Sequence, residues 1–120
     1  MTLSLLEITP TLGPGAIVHP NVRWGADCRL GPYVIIGEPC SGMEPGEEPT
    51  EIGAGANIRS HTVIYCGNRI GSRFSTGHGV LIRERNEIGD DVSIGSGSVV
   101  EHHVRLGNGV RLHSNTFIPE

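Results

Sequence analysis

The chain has 120 residues, 18 of them glycine, and carries a formal net charge of −4 with its 6 histidines counted neutral. That length holds one domain, and the mix of apolar and charged residues describes a chain that folds rather than one that stays disordered. Only Trp24, Tyr33, Tyr65, Phe74 and Phe117 are aromatic, so large rings cannot carry the core; every basic residue is arginine and no basic stripe is present, which excludes nucleic acid as an expected partner.

Residues 1–11 form a lead-in. Met1 to Glu7 have neither a basic start nor a cleavage-like site, and no apolar run approaches the ~20 residues of a membrane span. A cytoplasmic location without a membrane partner is expected. From Leu12 a repeat begins. Leu12, Val18, Trp24, Leu30 and Ile36 stand six residues apart and define the first coils, residues 12–37. The next segment, 38–51, reads EPCSGMEPGEEPTE. It is rich in proline and glycine and has no period, so it is a loop thrown out of one corner. Glu38, Glu44, Glu47, Glu48 and Glu51 make it acidic, with no cation inside it. It reads as a solvated insertion, with a cover over an active site as the alternative.

The repeat resumes in the main coils, residues 52–120, at Ile52, Ile58, Ile64 and Ile70, and continues from Ile82 to Ile118 without a slip of register. Thr76 is the one non-aliphatic member of this run. Four residues beyond each slot stands a slimmer side chain, as at Ala56, Thr62, Val80 and Val92. Two inward positions separated by one outward residue is strand alternation, and the remaining two of each six turn a corner. The second corner position holds Gly, Asn, Asp or His at Gly15, Asn21, Asp27, His61, Gly79, Asp91, His103 and Asn115, residue types that tolerate positive φ. A helix would need apolar residues three and four apart and would place glycine throughout at ~1 kcal/mol each against alanine. Three strands and three corners instead close a triangular prism, so residues eighteen apart stack at about 4.8 Å. The chain stops at Pro119-Glu120 in mid-coil, which suggests a shortened product or an end covered by another subunit.

Over residues 12–36 and 52–118 this pattern resembles the hexapeptide-repeat family, [LIV]-[GAED]-x-x-[STAV]-x. The resemblance implies an all-β fold, a left-handed parallel β-helix; the hand comes from the resemblance alone, because parallel crossovers are ordinarily right-handed.

The register converts sequence into lateral neighbours. Arg69, Glu87 and Arg105 share an outward column, Arg73 faces Asp91 and Arg83 faces Glu101, all read as solvated ion pairs. Cys28, Cys40 and Cys66 are odd in number and lack CxxC spacing, so they are expected to be reduced thiols in small core or corner positions. His19, His61, His103 and His113 take outward or corner places with a plain surface role. His78 and His102 differ, each at the first corner position of its repeat, on adjacent corners. His102 falls in the column Cys66, Glu84, His102, Glu120, where carboxylates one strand spacing away would favour the imidazolium or orient the neutral ring as a base. His78 sits in Thr76-Gly77-His78-Gly79, where glycine on both sides strips the backbone for a close approach, with Ser60, Ser96 and Ser114 stacked beside it.

The stretch GSGSVVEHHVRLG resembles the corner of acyltransferases of lipid A synthesis and of sialic-acid and bacillosamine O- or N-acetyltransferases, in which a histidine followed four residues later by an aliphatic-glycine pair is the general base. His102 with Leu106-Gly107 matches that spacing. TGHGVLIRERNEIGDDVSIG resembles hexapeptide acyltransferases acting on nucleotide-linked amino sugars, with Arg83 and Glu84 near the site. The resemblance therefore implies transfer from acetyl-CoA or another acyl-CoA to a sugar or nucleotide-sugar, in a groove between prisms of a homotrimer. His78, His102 and Glu84 are the candidate catalytic residues, and a backbone N–H at a glycine corner is the expected oxyanion donor. A γ-class carbonic anhydrase shares the fold and needs three histidines on zinc, but its typical pair stands five apart, a spacing that no two histidines here have, so no metal is expected. The remaining alternative is a non-catalytic trimeric scaffold.

Overall fold

A computed structural model describes residues 8–120. Of the expected lead-in, residues 1–7 lie outside the described residues. All regular structure among the described residues is short parallel strand, wound into a solenoid of about 6 turns and consistent with the left-handed β-helix expected from the sequence. The prism has three faces. The first stacks Thr11–Leu12, Arg29–Leu30, Asn57–Ile58, Ser75–Thr76, Ser93–Ile94 and Arg111–Leu112. Ile17–Val18, Ile35–Glu38, Val63–Tyr65, Leu81–Ile82, Val99–Val100 and Phe117–Ile118 make the second. The third consists of Val22–Trp24, Thr50–Ile52, Arg69–Ile70, Glu87–Ile88 and Arg105–Leu106.

Register follows the eighteen-residue coil: Ile70 pairs with Ile88 and Ile88 with Leu106, while Ile64, Ile82 and Val100 stack on the second face. These inward columns are the core. Ile36, Ile58, Ile64, Ile82 and Val100 are fully buried, and each such side chain contributes roughly 1.5–3 kcal/mol as an upper estimate. Thr76 also points inward at 6% exposure, so the odd member of the run keeps its slot. Toward the two ends of the prism Val18, Trp24, Leu112 and Ile118 are only partly covered.

The slimmer column is buried too. It includes Asn68 and Asn86, polar side chains whose amides turn back on the backbone: Asn86 Nδ2 donates to the Arg83 carbonyl at 2.9 Å, and its Oδ1 accepts from the Val104 N–H at 2.7 Å. Asn68 repeats the pattern one coil below, donating to the carbonyls of Tyr65 and Arg83. A buried amide is tolerated because its polar atoms are paired.

Each face presents different chemistry outward. The third carries an alternating ladder, Arg23, Glu51, Arg69, Glu87 and Arg105, with ion pairs of 3.4, 3.5 and 3.0 Å along it. Arg69 pairs with Glu51. The second face is apolar from end to end: Ile17, Ile35, Val63, Leu81, Val99 and Phe117 form its outward column. Outward positions on the first face are small or polar.

The acidic insertion leaves after Glu38, where the ladder carries a bulge, and returns at Thr50. It lacks a cation of its own but borrows several. Glu48 takes a two-pronged hydrogen bond from Arg85, both contacts 2.8 Å, and Glu51 lies between Arg23 and Arg69. His19 meets Glu38 at 3.2 Å, and the Asn21 side chain donates to the Gly46 carbonyl. The loop is thus held against the prism by partners outside its own stretch.

Candidate functional site

His78 lies at the corner between the first and second faces, and its geometry is set by stacking. Its Nδ1 is 2.8 Å from the Ser60 hydroxyl one coil below, and its backbone N–H donates to Ser96 Oγ one coil above, also at 2.8 Å. Two serines in register therefore fix both the ring and the backbone. With Nδ1–H donating to Ser60, the opposite nitrogen, Nε2, keeps its lone pair for an incoming group. The neighbouring Gly77 is required by crowding, since a Cβ there would fall 2.6 Å from the Ser96 backbone nitrogen. Beneath the corner the Thr76 hydroxyl accepts from the Arg59 N–H at 3.1 Å, and Thr62 Oγ1 donates to the Gly77 carbonyl at 3.2 Å. This explains the break in the aliphatic run: Thr76 joins a buried hydroxyl network under His78.

A groove of about 550 Å³ opens beside the ring, lined on the first face by Leu12, Arg29, Gly31, Arg59 and Ser60 with His78 at its edge. It joins apolar surface to guanidinium groups. The expected oxyanion donor is not free, however. The N–H groups of Gly77, His78 and Gly79 are spent on Ile94 O, Ser96 Oγ and Ser60 O respectively, because the stacked coils use corner amides as ladder rungs. The Ser96 hydroxyl, which accepts from His78, retains its own proton for donation.

Glu84 and His102 lie together on the next corner, between the second and third faces, one coil apart. Burial alone would raise the Glu84 carboxyl; its own backbone N–H and the Arg83 guanidinium at 3.1 Å outweigh that and hold it below the usual carboxylate range. Its charge is directed at Arg83, which also meets Glu101 at 3.6 Å and lies over the Tyr65 ring. The nearest partner of His102 is its chain neighbour: His102 Nδ1 and His103 Nδ1 are 2.8 Å apart, with Glu120 Oε2 at 3.6 Å. His103 reaches this position because its φ of 56° turns the corner in the left-handed region.

Within one chain, the strand Leu81–Ile82 separates His78 from Glu84, so the sequence candidates fall into two groups on opposite edges of the second face. Sequence reasoning passed over the buried asparagines and the pairing of the two adjacent histidines. Asn68 and Asn86 occupy the slimmer inward slot, and that spacing was the available signal.

The three cysteines are free thiols. Cys40, on the insertion, has its sulfur 3.8 Å from that of Cys66 on the coil; burial and then the Cys66 thiol push it up to about 11.

Residues 87–120 match the family described as bacterial transferase hexapeptide (six repeats), which includes acyltransferases and also non-enzymatic members. Neither a curated protein nor a solved structure matches the chain.

Proposed function

We propose that the chain is an acyltransferase of the hexapeptide-repeat kind, moving an acyl group, most simply acetyl, from coenzyme A to a hydroxyl or amine of a sugar or nucleotide-sugar. The observation that carries this reading is the His78 corner: a ring tied by Ser60 through one nitrogen, with the other presented beside a glycine-stripped backbone and a groove.

Nε2 of His78 accepts the proton of the acceptor hydroxyl or amine as its lone pair forms a bond to the thioester carbonyl carbon. The tetrahedral adduct then collapses, its C–S bond breaks, and the leaving thiolate takes the proton back from the imidazolium. No covalent enzyme intermediate is required. The Ser96 hydroxyl, in contact with the His78 backbone, serves as a donor to the developing oxyanion in this reading. Arg29 and Arg59 suit the phosphates of a coenzyme or a nucleotide-linked acceptor.

The active assembly in this reading is a cytoplasmic homotrimer, the state common among β-helix proteins of this repeat. The outward column from Ile17 to Phe117 is the self-association surface, since a continuous apolar ridge of that length is costly to leave in water. Burying the second face turns both bordering corners into walls of the grooves between subunits. One wall then carries His78 and the other Glu84 and His102.

The reading is tested by incubating the protein with acetyl-coenzyme A and a panel of amino-sugar nucleotides and following free thiol release, with thermal protection by coenzyme A measured in parallel. Turnover with at least one acceptor and a raised Tm support it. No thiol release and no protection would leave the trimeric scaffold as the better account.

A further inference from the structure

We propose that His102, His103 and Glu120 form a binding site for a divalent transition-metal ion of the zinc class. One ligand atom from each residue lies within 4.8 Å of the other two. The two imidazoles meet edge to face, interplanar angle 86°, and bring their Nδ1 atoms to 2.8 Å. At that distance one ring's Nδ1–H donates to the lone pair of the other, and a metal ion takes the place of that single proton, held by both lone pairs.

The backbone builds this convergence. The left-handed φ of 56° at His103 swings its ring back to the side occupied by His102, and its N–H is anchored to the Glu84 carbonyl at 3.3 Å. A tetrahedral ion with Zn–N bonds of about 2.0–2.1 Å sets its ligand nitrogens about 3.3 Å apart, so the rings need open by only about half an ångström. Glu120 Oε2, 3.6 Å from His102 Nδ1, supplies the third ligand and a negative charge. Of the neighbouring acids, Glu84 and Glu101 are both engaged by Arg83, which leaves the Glu120 carboxylate available.

Imidazole pairs select zinc, cobalt, nickel or copper over magnesium and calcium, which prefer oxygen ligands alone. His102 is partly covered and Glu120 exposed, so a fourth position faces solvent. Three protein ligands plus an open place is the arrangement of a reactive rather than a sealed structural ion. The sequence expectation of no metal rested on histidines five apart; here adjacent residues converge because the corner reverses the chain. The site is separate from the His78 corner and stands whether or not the acyl-transfer reading holds.

The test is binding of Zn²⁺ alone to the metal-free full chain by equilibrium dialysis and titration calorimetry, with Co²⁺ as a spectroscopic probe. One equivalent binds, and Co²⁺ shows the visible bands of a four-coordinate site without thiolate charge-transfer absorption. His102→Asn and His103→Asn each weaken binding about tenfold or more, asparagine being chosen because it tolerates the left-handed corner. Glu120→Gln, at an exposed position, weakens it severalfold, and Cys40→Ser leaves it unchanged. Failure to bind one equivalent, or binding that survives in the folded His102→Asn/His103→Asn double variant, would overturn the proposal.

Discussion

Ser60 and His78 are eighteen residues apart in sequence and one coil apart in space, with Ser60 Oγ 2.8 Å from His78 Nδ1. The pairing follows from the coil length, which stacks the first corner positions of successive turns. If it orients the imidazole as a base, Ser60→Ala lowers kcat about five- to tenfold, the equivalent of one ordinary hydrogen bond, with KM little changed. The acid limb of the kcat/KM profile shifts as well, and Ser60→Thr restores most of the rate. A Ser60→Ala enzyme with wild-type kcat and pH profile would remove Ser60 from the mechanism.

The buried amide ladder is a stability element. Asn86→Ala strands the Val104 N–H, which donates to Asn86 Oδ1, and removes one of the two amide donors to the Arg83 carbonyl, which keeps its bond from Asn68 Nδ2. Chemical denaturation is expected to show a loss of roughly 1–3 kcal/mol. An unchanged midpoint would mean that solvent replaces the lost bonds.

Asp91 receives two hydrogen bonds from Arg73, at 2.6 and 3.0 Å, and the Arg73 guanidinium holds its carboxyl below the usual range. A folded-state value lowered in this way adds stability above the unfolded carboxylate value and loses it as pH falls through the folded one. Both groups are exposed, so the effect is small. Asp91→Asn is expected to melt slightly below wild type at pH 7, and the two curves should merge in acid. A gap that persists at low pH would assign the difference to something other than charge.

Leu81 is a central rung of the apolar second face, between Val63 and Val99. Leu81→Glu places a charge in the proposed contact between prisms. Sedimentation equilibrium is expected to find a trimer for wild type and a 12.8 kDa monomer for the variant. A wild-type monomer, or a variant trimer, would place the interface elsewhere.

How much of this was readable beforehand depends on period. The aliphatic inward columns, the Arg69, Glu87 and Arg105 part of the charge ladder and the serines around His78 repeat with the coil, and stacking by eighteen located them; Arg23 joins the ladder across the insertion, where the step is longer. The left-handed corners were legible at Asn21, Asp27, His61, Asp91, His103 and Asn115, but Tyr33, Arg73 and Arg85 adopt φ of 59° as well. Closure of the prism overrides the local cost for these bulkier residues, and the N–H groups of Tyr33 and Arg73 gain ladder bonds to the Pro14 and Ala54 carbonyls. The contact of Arg85 with Glu48 was not legible, because the insertion has no period and its partners obey no spacing rule. Nor was the meeting of His102 with His103, since column logic looks along the prism and the φ of His103 sends its ring sideways.

The role assigned to His78 is tested most directly by the rate of coenzyme A release from acetyl-coenzyme A with a competent acceptor, wild type against His78→Asn. The account predicts a fall in kcat of roughly 10²–10⁴-fold with the circular dichroism spectrum and oligomeric state unchanged. A folded His78→Asn protein that turns over at the wild-type rate would contradict it.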